Sequence, residues 1–468
     1  MSSTVTAFAA RWTVVPGPND APEVIEDATV LVEGTRILDV VREATDVHTD
    51  RRVEFGQGIL FPGFVNLHNH SINGPLFRGI IDDVGHETTA DNVVYSLLLP
   101  LGDYVSTVLS EDDIRAIYRL ALIEILRSGT TTVLDMPRAA HKSLFAVAKE
   151  IGLRIVGAPY IFSTPTRGVD SLGNPVYQEI DEGQSLDDAL LIADEYDEGP
   201  DGLVRVGLGP HATDTCSPEL LRRIGHEARE RNTVVSIHVA QSRHEVKAIR
   251  DRYGLTPVEF LRETGILGPN LVAAHCVYAE NTDLDILRDT GTTVANCPLT
   301  FARSGVTVPF DRFHRHGVRT GIGTDAYNFD YFSEMRAAGF ISKLTTGDSG
   351  AADAVTLLRA ATEVGASALM QPHLGRVERG CPADLVVVDL SSASLQPVRD
   401  PLKNLVWNAT PADVALVMIN GNVVVENGTV RGCDESGAIR AGAAAVERLW
   451  ETAEREGLLA VPKNGRAA

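Results

Sequence analysis

Gly63-Phe-Val-Asn-Leu-His-Asn-His-Ser71 is an apolar run that ends in two histidines, His68 and His70, one residue apart. In an extended strand alternate side chains point the same way, so both imidazoles face one side at the strand's exit and can share one metal ion. Pro62 and Gly63 break the chain just before the run. A histidine pair of this kind also fits an ordinary polar strand end, so the remaining ligands must come from elsewhere in the chain.

The grammar changes at that break. Upstream, short β-prone pieces at 12–15, 28–32, 36–40 and 52–55 are separated by Pro, Gly, Asn and Asp, and read as small antiparallel strands without helices. Downstream, strand-like runs at 63–68, 130–136, 153–161, 204–209, 233–239, 271–277, 292–297 and 319–324 alternate with amphipathic segments such as 112–127, 218–232, 257–263 and 282–289. Eight strands with intervening helices predict a parallel (β/α)8 TIM barrel, because parallel strands need crossovers and are buried on both faces. After a last helix near 356–370 the β pattern returns at 380–389 and 414–425, with an Asn420-Gly421 hairpin turn. The expected organisation is a distorted barrel over 62–372 and a composite β-sandwich domain built from both chain ends, 1–61 and 373–434. A closing alanine-rich helix at 441–458 and a loose tail after Val461 belong to 435–468.

Composition narrows the partners. A chain of 468 residues with 44 % hydrophobic residues can bury a large core, and a formal charge of −21 disfavours nucleic acid and anionic membranes. The expectation is a small-molecule ligand, with no nucleic acid and no membrane. Cys216, Cys276, Cys297, Cys381 and Cys433 are odd in number and widely spaced, which predicts reduced thiols rather than disulfides or a cysteine zinc site. With no signal-like N-terminus and no membrane-length apolar run, the expected location is cytoplasmic.

Four further strand ends carry metal-binding or proton-transfer residues: His211 after Gly-Leu-Gly-Pro, His238 in Ser-Ile-His-Val-Ala, His275 in Ala-Ala-His-Cys, and Asp325 in Gly-Ile-Gly-Thr-Asp. Each strand-end histidine, taken singly, is more often structural. Five histidines and one aspartate at the same end of a predicted barrel point jointly to a metal site.

These motifs resemble the amidohydrolase superfamily, and within it the mononuclear-metal group of S-adenosylhomocysteine, guanine and cytosine deaminases and triazine hydrolases. The resemblance runs from the leading β strands through Leu374-Gly-Arg-Val-Glu-Arg-Gly-Cys-Pro-Ala-Asp384 to Ile419-Asn-Gly421. It implies that His68, His70, His238 and Asp325 bind one divalent ion, zinc first with iron or cobalt as alternatives, that His275 contacts the metal-bound water, and that His211 contacts substrate. Such an ion with an open position acidifies water, and Asp325 can take the proton and deliver it to a leaving group. No lysine ends the fourth strand, where two-metal relatives carry a bridging one. Relatives of this kind are commonly homo-oligomers, dimers or higher.

The chain also departs from the deaminase pattern. Those enzymes usually carry glutamate three residues after the fifth-strand histidine, to protonate a ring nitrogen; Gln241 stands there instead. A glutamine donates a hydrogen bond but has no proton to transfer. Tyr278 and Asn296 likewise replace histidines found in many members.

Two hydrolytic readings follow. In the first, a metal-bound hydroxide cleaves a C–N or C–S bond at the planar carbon of a small apolar urea, carbamate, thiocarbamate or amide, as in the similar phenylurea and thiocarbamate hydrolases, with Asp325, His275 and Gln241 catalytic. In the second, the enzyme deaminates or dechlorinates a purine, pyrimidine or triazine ring. A catalytically silent barrel that only binds is a third, remote reading. Expected substrate contacts are His211, Gln241, Phe77, Tyr160 and Asn328, with Leu76, Tyr95, Leu97, Leu98, Phe329 and Tyr331 as further candidate walls.

Overall fold

The structure is a computed structural model that describes residues 4–18, 21–42, 49–80, 93–170 and 174–457. The predicted tail after Val461 lies outside them.

Strands Phe64–Asn69, Thr130–Asp135, Arg154–Gly157 and Val204–Val206 pair side by side in parallel. A second parallel run is formed by Val235–Val239, Leu271–His275, Thr293–Asn296 and Thr320–Ile322. Single parallel bridges at Leu208–Val235 and Asn69–Asp325 join the two runs into an eight-stranded ring. Nearly every residue of these strands is buried, as expected where helices cover the outside and packed side chains fill the middle. The Asn69–Asp325 bridge sets the exit of the first strand beside that of the eighth.

The crossover helices begin and end where the sequence signals them. Ser110 and Asp113 form a capping box for Glu111–Arg127, and Thr256 and Glu259 form one for Pro257–Thr264. Gly265 and Gly291 close their helices in the left-handed conformation, each with φ 71°.

Several expected elements differ. The run 153–161 is two strands, Arg154–Gly157 and Tyr160–Ile161, and 204–209 likewise resolves into Val204–Val206 and Gly209–Pro210. The outer pieces pair with each other, and a Cβ at Gly209 would stand 2.2 Å from the Ala158 carbonyl oxygen, so only glycine permits this approach. The helix expected at 356–370 is split into Ala354–Ala361 and Glu363–Ala368 at Thr362, whose hydroxyl bonds back to the Leu358 carbonyl at 2.7 Å. The closing helix starts earlier, at Glu435, because Asp434 caps it by accepting from Gly437 N–H at 3.0 Å.

Both chain ends contribute to one nine-stranded sheet. Its N-terminal strands are longer than expected, Val5–Pro16 against Pro22–Glu33, and they are not all antiparallel. The chain crosses over after Arg36–Val41, so Arg51–Glu54 and Gly58–Pro62 run parallel to Val5–Pro16. Gly58–Pro62 in turn pairs with the C-terminal strand Leu385–Asp389. Asn420 and Gly421 have φ 48° and 73° and turn the hairpin between Val414–Ile419 and Asn422–Glu426.

A buried ion pair ties sheet to barrel: Arg154 Nε donates to Asp384 Oδ2 at 3.1 Å, and neither side chain is more than 3 % exposed. All five cysteines are free. Among the described residues, no helix is long and apolar enough to cross a membrane.

Candidate metal centre and its cavity

The histidines meet where the strands end. His70 Nδ1 lies 3.2 Å from the Met136 carbonyl oxygen and His238 Nδ1 lies 2.5 Å from that of His211. Donation from Nδ1–H to a carbonyl leaves Nε2 as the lone pair on each ring. Those two Nε2 atoms are only 3.2 Å apart, an arrangement that repels until a cation sits beside them. Asp325 Oδ1 is 3.6 Å from His70 Nε2 and 3.7 Å from His68 Nε2. Both His68 nitrogens and His275 Nδ1 are buried without a hydrogen-bond partner.

The ligand atoms of His68, His70 and His238 lie within 4.8 Å of one another, as do those of His68, His275 and Asp325. Burial lowers the basicity of every ring: His70 falls to about 3, His238 to about 4, and His68 and His275 well below the usual histidine value. The imidazoles are therefore neutral donors at neutral pH. Burial also pushes Asp325 up to about 7, a shift that a neighbouring cation reverses. Neutral imidazoles converging on one carboxylate, with unsatisfied nitrogens between them, fit a divalent ion of the zinc type.

Local backbone conformations hold this face. Asp325 N–H donates to the His68 carbonyl and His70 N–H to the Asp325 carbonyl, each at 2.9 Å. Asp325 and His275 have φ 59° and 76°, uncommon for residues with a Cβ. Behind them, Asp135 accepts from Ser71 N–H at 2.7 Å and Asn69 Nδ2 at 2.8 Å, which fixes the turn that follows His70.

A cavity of about 450 Å³ opens over the centre. His70, His238, His275 and Asp325 form part of its floor, and His211, Gln241, Tyr160, Tyr278 and Leu98 line it. His211 Nδ1 lies 2.9 Å from Thr215 Oγ1, and its ring is 5.0 Å from that of His238. The walls are largely apolar, from Ile72, Val93, Val94, Leu99, Val105, Met136 and Phe301. Arg138, Arg243 and Arg303 are the cationic residues of the lining, and Asp135 and Asp325 its carboxylates, among the described residues.

Two expected contacts do not line the cavity. Phe77 is fully buried in the core against Trp450, and the Asn328 side-chain oxygen accepts from Asp330 N–H at 2.9 Å. Leu76, Tyr95, Leu97, Phe329 and Tyr331 also pack behind the cavity surface; the Tyr331 hydroxyl, for example, donates to the Val65 and Ile322 carbonyls. Asn296 donates to the Val308 carbonyl at 3.1 Å and stays out of the lining. Sequence reasoning missed Asp135, Arg138 and Glu245. Asp135 had a signal, since it ends the strand Thr-Thr-Thr-Val-Leu-Asp; the other two lie beyond strand ends and carried none.

A parallel barrel with a histidine–aspartate face fit for a divalent ion at its C-terminal strand ends is the arrangement expected of a metal-dependent hydrolase. The chain belongs to the amidohydrolase family, which it matches over residues 59–424. It is 32 % identical to the 5'-deoxyadenosine deaminase of Methanopyrus kandleri over 456 residues, 94 % of this chain and 99 % of that one. It is 34 % identical to the 5-methylthioadenosine/S-adenosylhomocysteine deaminase of Syntrophobacter fumaroxidans over 400 residues, 82 % and 84 % of the two chains. A zinc-bound adenosine deaminase from Xanthomonas campestris superposes with a TM-score of 0.84 at 26 % identity, covering 95 % of this chain and 98 % of that one. Atrazine chlorohydrolase from Arthrobacter aurescens, complexed with zinc, shares the fold with a TM-score of 0.84 at 23 % identity, covering 94 % and 100 %.

Proposed function

We propose that the protein hydrolyses a C–N or C–S bond at the planar carbonyl carbon of a small, largely apolar urea, carbamate, thiocarbamate or amide. One divalent ion, zinc first, would be held by His68, His70, His238 and Asp325, with His275 facing it. The observation that carries this reading is residue 241: at the edge of the cavity stands a buried amide, Gln241, whose Nε2 has no hydrogen-bond partner. An amide donates a hydrogen bond to a substrate acceptor and cannot protonate a ring.

A divalent ion held by these residues would supply Lewis-acid activation of water and polarise the substrate's carbonyl group. Asp325 accepts the proton of the attacking water and returns it to the departing nitrogen or sulfur, so no second acid is needed. Gln241 Nε2 donates to the acceptor atom next to the scissile carbon, and His211, also in the lining, contacts the substrate. The apolar lining desolvates an alkyl or aryl substituent.

The second reading is an aminohydrolase or dechlorinase of a purine, pyrimidine or triazine ring, and the comparisons weigh toward it: the curated relatives named above are deaminases of adenosine-type compounds. In that reading Gln241 only orients the ring. Another group must then carry the proton to the ring nitrogen, and the only carboxyls of the lining, among the described residues, are Asp135 and Asp325.

Metal-replete protein incubated with aryl ureas, carbamates, thiocarbamates, amides, aminopurines, aminopyrimidines and chlorotriazines separates the readings by mass spectrometry of products. The expected result is release of an amine or thiol from a carbonyl compound. An amino-to-oxo or chloro-to-hydroxy mass change in a heterocycle, with the carbonyl compounds untouched, would establish the second reading.

A further inference from the structure

Behind residue 241 lies a group of buried polar side chains with no part in the reaction proposed above. Glu245, in the first turn of the helix Arg243–Tyr253, is fully buried. Its Oε1 accepts from the backbone N–H of Ala240 at 2.9 Å and from the Thr213 hydroxyl at 2.5 Å, and its Oε2 accepts from the backbone N–H of Gln241 at 2.7 Å. Ser242 caps the same helix by accepting from Glu245 N–H at 3.0 Å.

The turn that these bonds hold is a strained one. Ala240 has φ 48°, a left-handed conformation that a residue with a Cβ keeps only where its surroundings impose it. Because Gln241 Nε2 has no partner within the described protein, that amide nitrogen does not anchor the turn; the bonds from Glu245 to the backbone do. Through Ser242, whose hydroxyl lies 3.4 Å from that of Tyr95, the network reaches the cavity wall. Buried Asp214 accepts from the Tyr95 hydroxyl at 3.1 Å and the Tyr177 hydroxyl at 2.7 Å, and Tyr95 lies in the segment Val94–Leu98, whose two ends line the cavity.

We infer that Glu245 is a positioning residue, whose two side-chain oxygens clamp the Ala240–Gln241 turn so that the Gln241 amide meets the substrate's acceptor atom. This rests on the role given to Gln241 above, and deepens it. Glu245→Gln keeps the shape but sets an amide donor against one of the two backbone donors, so one clamp is lost and one contact becomes repulsive.

The test has two arms. Hydrogen exchange read by mass spectrometry on peptides spanning residues 239–242 needs no substrate: Glu245→Gln is expected to speed exchange at Ala240 and Gln241 by about tenfold while bound metal is unchanged. The second arm is a double-mutant cycle on kcat/KM, measured with whichever carbonyl or heterocyclic substrate the product screen identifies, so that an error in substrate class leaves it valid. Glu245→Gln is expected to lower kcat/KM by about tenfold in the native background and by less than about twofold in the Gln241→Ala background. Unchanged exchange overturns the clamp. Fully additive losses overturn action through Gln241 and leave Glu245 merely structural. If Glu245→Gln does not fold, Thr213→Val, which removes one of the donors orienting the carboxylate, is expected to accelerate exchange at the same two amides, and no acceleration overturns the inference.

Discussion

Asp384→Ala removes one half of the buried pair that fastens the barrel to the sheet. The Asp384 carboxylate receives Arg154 Nε at 3.1 Å, Arg154 Nη2 at 3.2 Å and the Asn420 backbone N–H at 2.7 Å. The guanidinium also donates to the Gly202 carbonyl and the Asn420 side-chain oxygen, each at 2.7 Å. With the carboxylate gone, a cation 1 % exposed keeps neutral acceptors but no counter-charge, which costs about 3–5 kcal/mol. At about 2.1 cal/mol/K per residue, unfolding of all 468 residues as one unit carries about 1 kcal/mol/K, so Tm falls by about 3–5 °C. Arg154→Met, which strands the carboxylate instead, is expected to cost a similar amount. The double variant Arg154→Met/Asp384→Leu replaces the pair by apolar groups and is expected to lie closer to the native protein than either single variant. Scanning fluorimetry or calorimetry at one fixed scan rate reads all three. Single variants that each shift Tm by less than about 1 °C, or a double variant that loses the sum of the two, would refute the clasp.

Three further outcomes concern the site. His68→Ala and His238→Ala are each expected to lower bound metal measured by plasma emission; unchanged content in both would overturn the ligand assignment. Asp325→Ala is expected to abolish turnover, a loss of at least about 10²-fold, whereas Gln241→Ala is expected to cost only about tenfold, the value of one hydrogen bond to substrate; equal, complete loss in both would contradict an orienting role for Gln241. In protein stripped of metal by a chelator, His70 and His238 are expected to stay neutral well below pH 6.5, because burial lowers them to about 3 and about 4 when folded. Each ring then costs about 1.4 kcal/mol of stability per pH unit below about 6.5, while the raised carboxyls of Asp325 and Asp135 act with the opposite sign. The check is therefore on the rings themselves: imidazole NMR shifts that titrated near pH 6.5 in chelated protein would refute the burial of neutral rings.

The convergence of the histidines and Asp325 was legible in the sequence because it follows strand period. His68 and His70 are alternate residues of one strand, and His238, His275 and Asp325 each end or follow a strand whose apolar run is unmistakable. The barrel was legible for the same reason, since period-2 runs and amphipathic helices are local signals. What was not legible depends on close approaches between distant segments. The break between Gly157 and Tyr160 follows from backbone contact at Gly209, and the split at Thr362 from a bond to Leu358. Phe77 and Asn328 were misplaced because a residue's position in a loop or a five-residue helix does not say which way its side chain turns.

Residue 241 divides the same way. That an amide replaces a carboxyl there can be read from the sequence, because it lies at a fixed offset from His238. Where that amide points cannot, because its direction is set by the left-handed Ala240 and by a carboxylate four residues further on. Positions 241 and 245 are thus separable in function: an acid at 241 would act on the substrate, whereas the acid at 245 acts on the backbone. Loss of the first leaves the second, and with it the geometry of the turn, intact. At 241 this chain thus presents a hydrogen-bond donor with no proton to transfer, at a place its fold holds fixed. A decaying site would be expected to lose the clamp and the histidine–aspartate face together with the acid. Their presence together argues for a working site, whichever of the two substrate classes it serves.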